Sequence, residues 1–507
     1  MSWKADSRGG GRGLAAGQNP INLVLVSNSR PSVAIVGAGF GGLGLAVMLK
    51  RAGFTDFTIF ERANDLGGVW RDNTYPGAAC DVPSPLYSYS FAPNRTWPRR
   101  YAEQSDILAY LRRTAREAGV IEYIRFGTEV TGASFDGRWR LETASGETFE
   151  ADVLVPAVGL LSRPAVPEIP GADEFDGPIF HSARWDHDVE LAGRRITVIG
   201  TGASAIQFVP RIQPMAERLT VFQRSAPYVV PKPDIAYRSW HHRLFRSVPG
   251  VQAAMRAATW FAGELLTLAL TAVRPLGKLV ELLFRYHLRR QVPDPALRAR
   301  LVPDHRIGCK RLLFSNDWFP AISAPNVDLV TDQILEITSR GVRTTSGEHE
   351  ADVIIYGTGF HATEYLAPMR IRGLGGRELS DEWAGGARAY LGMTIPGFPN
   401  MFLVYGPNTN LGGNSIIFMI ERQYRYILKI LTYGPSYVEV RGEVAERFNT
   451  ELQRRLASSV WSGCASWYHE GGGRITTNWP GLVWEYHRRT AKASPADYHL
   501  TAIHHGQ

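Results

Sequence analysis

At 507 residues the chain is longer than one ordinary hydrophobic core can organise, so two or three domains are expected. Apolar residues at 44% and charged residues at 21% are the proportions of a soluble globular protein. The net charge of +8 comes without a basic tract, which excludes nucleic-acid binding and suits phosphate-bearing ligands. The cysteines, Cys80, Cys309 and Cys464, show no CxxC or metal spacing, and a reducing, cytoplasmic setting follows by default.

Residues 1–30 read as a disordered extension whose apolar run, Ile21–Val26, is too short for a signal-peptide core. Ser32–Val36 is an apolar, β-branched run ending in Gly37-Ala38-Gly39-Phe40-Gly41-Gly42, with a helical pattern to Arg51. Gly37 permits the tight turn, Gly39 lets backbone approach a pyrophosphate, and Gly42 allows close packing of helix on strand. The next strand, Phe57–Phe60, ends in Glu61, which can accept hydrogen bonds from a ribose and would repel a 2′-phosphate. This unit is therefore expected to hold FAD or NAD rather than NADP. Arg138–Thr143 and Thr148–Glu150 look like hairpin strands of an inserted sheet. Asp152–Gly159, a strand running into a glycine, is echoed at Asp352–Gly359. The two segments are expected to mark where the chain leaves the first domain and where it returns.

Phe175–Asp186 reads FDGPIFHSARWD and is expected to act as a hinge between two nucleotide units. The second unit begins at Ile196–Ile199 and turns through Gly200-Thr201-Gly202-Ala203-Ser204-Ala205 into a helix carrying Gln207. Its next strand, Leu219–Phe222, is followed by Gln223-Arg224-Ser225. Arg224, standing where the first unit has Glu61, can pair bidentately with a 2′-phosphate and shifts the preference to NADP. Two units of opposite preference imply hydride transfer between FAD and NADPH. From Tyr237 to Arg300, two packed helices, Val251–Val273 and Lys278–Arg290, are expected as an insertion. A membrane contact in the interface plane, or a lid toward greasy substrates, is the less favoured reading, and a spanning helix is disfavoured because Arg256 and Glu264 interrupt the apolar run.

The FxGxxxHxxxW motif at Phe175, Gly177, His181 and Trp185, lying between two GxGxxG/A turns, resembles the signature of type I Baeyer–Villiger monooxygenases, which are class B flavin monooxygenases. The likeness runs from about Pro31 to Tyr486. Gly67-Gly68-Val69-Trp70 resembles the family's GGTW segment, and Tyr75–Asp81 its YPGARCD, with Ala79 in place of Arg. Tyr356–Phe360 resembles its ATGF/Y segment, with Gly357 in place of Ala.

The resemblance implies an FAD site that includes Gly37, Gly39, Phe40, Gly42, Glu61, Gly68, Val69, Trp70, Ala79, Cys80, Tyr87 and Val130. It implies an NADP site at Thr201, Gly202, Ala203, Ser204, Ala205, Gln207, Arg224, Ser225 and Lys310. Asp81 and Arg311 are implied as the catalytic pair beside the flavin. Pro399–Asn408 and Thr409–Ser415 resemble the strand and helix start that close the FAD site, and Trp467 and Trp479 the lid region. The implied fold is α/β, with two Rossmann-like domains and a helical insertion in the second. The expected boundaries are 31–160 (FAD), 161–186 (linker), 187–350 (NADP, insertion about 237–300) and 351–507 (return to the FAD domain and lid). The implied reaction uses NADPH and O2 to convert a hydrophobic ketone to an ester or lactone, in a monomer or weak homo-oligomer. The alternative is a flavin monooxygenase that oxygenates sulfur or nitrogen, which has no need of the Asp81–Arg311 arrangement.

Overall fold

In the computed structural model, residues 30–434, 436–463, 468 and 474–501 are described. β1 (Val33–Val36) is apolar and buried throughout, as a central parallel strand must be. It runs through Gly37 into α1 (Phe40–Arg51), and β2 (Phe57–Phe60) pairs parallel beside it. β3 (Ile124–Arg125) lies outside β2. β4 (Val130–Asp136), β5 (Arg138–Thr143) and β6 (Thr148–Ala151) form the expected antiparallel insertion. β7 (Val153–Pro156) then completes the first sheet on the other side of β1, in the order β3-β2-β1-β7.

The Phe175–Asp186 stretch is not a free connector. It contains β8 (Ile179–His181), the edge strand of the second parallel sheet. That sheet also comprises β9 (Arg195–Ile199), β10 (Arg218–Phe222), β11 (Val327–Val330) and β12 (Val353–Tyr356), in the order β11-β10-β9-β12-β8. The echo between Asp152 and Asp352 marks the strand after which the chain leaves the first sheet and the strand after which it goes back to it. Asp152 accepts the N–H of Ser32 just before β1, and Asp352 that of Arg195 at the start of β9, each at 2.8 Å. Domain edges at 186/187 and 350/351 therefore cut through this sheet. The chain rejoins the first sheet later: Leu154 N–H bonds to Asn400, Phe402 N–H to Leu154 and Val404 N–H to Pro156.

The insertion contains more helix than expected. α2 (Ala205–Ile212) belongs to the second unit. α3 (Ser239–Ser247), α4 (Val251–Thr271) and α5 (Arg274–Gln291) follow β10. The two charges that interrupt the apolar run of α4 face inward. Arg256 donates to the carbonyls of Pro85, Leu86 and Ser88 at 2.7–3.3 Å. Glu264, 5% exposed, accepts from Asn414 at 2.8 Å and from the N–H groups of Val483 and Trp484. It so caps a helix that begins at Val483. Both charges tie α4 to the first unit. No helix among the described residues is long and apolar enough to cross a membrane.

His181 is 4% exposed, and its Nδ1 accepts the Ala183 N–H at 3.0 Å, which leaves the proton of the neutral ring on Nε2. Burial holds the ring down at about 4, with the Gly359 backbone partly opposing. Between the ordinary histidine value and about 4, the unfolded chain takes up a proton that the folded chain refuses. Stability is therefore lost as the pH falls through that window, by on the order of 2–3 kcal/mol for this group. Urea unfolding from pH 7 to pH 4 should show a shallower loss in His181→Gln than in wild type, and parallel curves would contradict the assignment.

Candidate active site

Two phosphate cradles face the junction of the units. In the first, Gly37 has φ +104°, and a Cβ there would lie 2.9 Å from the Ala157 carbonyl. A Cβ on Gly42 would sit 1.9 Å from the Gly37 carbonyl, so only glycine lets α1 pack this close to β1. Gly39 at the start of α1 has no side-chain cap and meets Gly68 almost backbone to backbone. Uncapped N–H groups at a helix start are the ordinary seat of a pyrophosphate. Buried Glu61 accepts the Ala38 N–H at 2.9 Å and the Ala63 N–H at 3.0 Å, and pairs with Arg71 at 2.9 Å. Val69 and Trp70 start the next short helix, and Trp70 Nε1 donates to the Tyr87 hydroxyl at 3.1 Å. Phe40 packs between Tyr87 and Tyr89, and Val130 is buried at the start of β4.

In the second cradle Gly200 has φ +111°, with the Gly357 carbonyl 2.5 Å from where a Cβ would be. Ala205 packs against Gly357 at the third small position, and Ser204, Ala203 and Gly202 precede an N-terminus without a side-chain cap. The Thr201 hydroxyl donates to the Ser225 carbonyl at 3.3 Å, and Lys310 Nζ donates to the Ser225 hydroxyl at 2.8 Å. Exposed Arg224 pairs with no carboxylate among the described residues. Burial lowers the Lys310 ammonium, Asp304 opposes this, and Arg224 adds to it by repulsion. Two cations and a hydroxyl thus converge without a full counter-charge.

Gln207, expected among the cofactor contacts, reaches back across the junction. It accepts from the Tyr75 hydroxyl at 3.0 Å and donates to the Ala79 carbonyl at 3.0 Å. Next to Ala79, the Cys80 thiol is free, buried and pushed up by desolvation, which makes it inert. Cys309 is disulfide-bonded, which runs against the reducing setting expected from the cysteines.

Between the cradles lies an ion pair. Arg311 donates to both oxygens of Asp81 at 2.7–2.9 Å in a fork geometry. Arg311 follows the insertion and is held by the pairing of residues 313–314 with 229–230, whereas Asp81 belongs to the first unit. The Asp81 charge raises Arg311 further above its already high value, against the opposing effect of burial. A small cavity beside Arg311 is lined by Thr267, Leu270, Leu312, Trp461 and Tyr468. The sequence did not single out these five residues, because α4 and the C-terminal third meet only in the fold. Trp479, expected in the lid, is instead buried against Tyr486 and donates to the Leu482 carbonyl. Trp467 lies outside the described residues.

Paired Rossmann units, an arginine held by a carboxylate between them and an adjoining cavity define a two-dinucleotide oxidoreductase. A family model described as "FMO-like: Flavin-binding monooxygenase-like" matches residues 30–240. A Baeyer-Villiger monooxygenase of Streptomyces coelicolor is 46% identical over 92% of this chain and 92% of its own. An oxidized steroid monooxygenase bound to NADP superposes with a TM-score of 0.82 at 32% identity, over 94% of this chain and 100% of that one. A solved OTEMO complex with FAD and NADP gives a TM-score of 0.83 at 28% identity, over 93% of this chain and 100% of that one. The chain belongs to the Baeyer–Villiger monooxygenase family of flavin monooxygenases.

Arg224 generates a coenzyme prediction. Arg224→Ala should weaken NADPH binding by about 1.5–3 kcal/mol, the scale of a charge-assisted contact, and leave NADH nearly untouched. Titration of both coenzymes checks this, and equal losses would remove Arg224 from the 2′-phosphate site.

Proposed function

We propose that this enzyme uses FAD, NADPH and O2 to convert a hydrophobic ketone to an ester or lactone. The reading rests above all on Arg311, held by Asp81 between the two cradles. When bound, FAD supplies the oxygen-activating chemistry and NADPH the electrons. The glycine turns and uncapped helix starts fit two pyrophosphates. Glu61 suits a ribose diol, while Arg224, Ser225 and Lys310 suit a 2′-phosphate. Of the residues expected to bind cofactor, we assign Gly37, Gly39, Gly42, Glu61, Gly68, Val69, Trp70 and Tyr87 to FAD. We assign Thr201–Ala205, Gln207, Arg224, Ser225 and Lys310 to NADPH.

Arg311 cannot lose its proton at any working pH, so it offers a fixed positive charge without entering the proton inventory. Oxygen insertion next to a carbonyl builds negative charge on the attacking oxidant and on the carbonyl oxygen. A preoriented cation in a site with little water stabilises both. Asp81 fixes the guanidinium plane and leaves the remaining N–H groups free to donate. Trp461, Leu270 and Leu312 put apolar surface beside Arg311 and limit the access of water to its charge. We place the enzyme in the cytoplasm, where NADPH is supplied, as a monomer or weak homo-oligomer.

The test is product analysis with a panel of ketones and thioethers under NADPH and O2. Esters carrying one oxygen from labelled O2 are expected, and oxidation of thioethers alone would favour the sulfur-oxygenating alternative. Arg311→Ala should retain FAD and lose ester formation by at least about 100- to 1000-fold, the usual cost of one oxyanion contact. Ester formation at the wild-type rate in that variant would overturn the role given to Arg311.

A further inference from the structure

Between Arg238 and Arg290 the chain carries nine Lys and Arg against two Glu, a net +7 out of the +8 of the whole sequence. Only one glutamate offsets this at the surface. Glu264 is buried as a helix cap, and Glu281 is engaged by Arg285 at 2.8 Å. The same stretch holds 11 of the 22 exposed large hydrophobic residues found among the described residues.

These side chains form continuous helical faces. On α5, Leu276, Leu279, Leu283 and Tyr286 follow at helical spacing, with Leu279 63% and Tyr286 60% exposed. On α4, Phe261 and Leu265 stand one turn apart, and on α3 Trp240 and Leu244 do the same. Lys278, Arg285, Arg289 and Arg290 are exposed on α5, and Arg243 and Arg246 on α3. A protein does not ordinarily leave so large an apolar area to water.

We propose that α3, α4 and α5 seat the enzyme on an anionic lipid surface, lying in the interface plane without crossing it. The charge decides between occupants. Association of two copies through this face would oppose one basic surface to another. A negatively charged headgroup layer over hydrocarbon instead accepts the cations, the aliphatic tips and the amphipathic Trp240 and Tyr286 rings together. No helix among the described residues can span a bilayer, which restricts the contact to docking. The inner side of α4 contributes Thr267 and Leu270 to the cavity beside Arg311. One helix therefore turns its outer side to the lipid and its inner side to the surroundings of Arg311.

The experiment is co-sedimentation of the full-length, FAD-loaded enzyme with phosphatidylcholine vesicles, with and without phosphatidylglycerol, at low and high salt. Binding is expected to vesicles containing phosphatidylglycerol, to be weak on phosphatidylcholine alone, and to fall in high salt. The Arg289→Glu/Arg290→Glu and Leu279→Glu/Leu283→Glu pairs should each weaken binding by about tenfold or more while keeping FAD. No binding of wild type to the anionic vesicles overturns the proposal, whether or not a variant folds. So does undiminished binding by either FAD-loaded variant. Light scattering that shows a wild-type dimer dissolved by these variants, without vesicle binding, would assign the face to a second copy.

Discussion

The bidentate contact between Arg311 and Asp81 joins residues 230 positions apart, one on each side of the junction between the nucleotide units. It contributes little to holding the fold together. Its partners are a third and a quarter exposed, and such pairs are worth only a fraction of a kcal/mol to about 1 kcal/mol. The dependence runs the other way. The pair forms only if the units sit in one orientation, and that orientation is set by larger forces. Gln207 bridges to Tyr75 and Ala79, and Arg256 and Glu264 fasten α4 to the first unit.

The glycine turns were legible in the sequence because their requirement is local. A positive φ at Gly37 and Gly200, and the absence of a Cβ at Gly42, follow from the turn itself. The β4–β6 insertion was legible for a similar reason, since its strands pair with their neighbours. The β8 strand was not. Three residues give no readable period, and their partner β12 comes from the far end of the unit. Asp81 and Arg311 stood out only through their likeness to a family, since a loop carboxylate and a Lys-Arg pair are commonplace surface features. The aromatic tail was ambiguous in principle, because a core tryptophan such as Trp479 and a site tryptophan have the same sequence signature.

Charge is distributed by task along this chain. A carboxylate, Glu61, follows the second strand of one unit, and a guanidinium, Arg224, follows the equivalent strand of the other. The same backbone cradle is thereby given opposite preferences for a 2′-phosphate. In α4 the two charges that looked like interruptions of an apolar helix serve packing, while the outward face stays apolar and its surroundings basic. Hydrophobicity alone would not separate these sides of the helix, but the partners of Arg256 and Glu264 do.

The central claim is that Arg311 and Asp81 act as one device. A double-mutant cycle on ester formation tests it most directly, with Arg311→Ala, Asp81→Ala and the double variant compared in FAD-loaded enzyme. A single device predicts that the double variant is no slower than Arg311→Ala alone, because Asp81 has no task once its arginine is gone. Losses that multiply across the two positions would show that they act independently and would contradict the account.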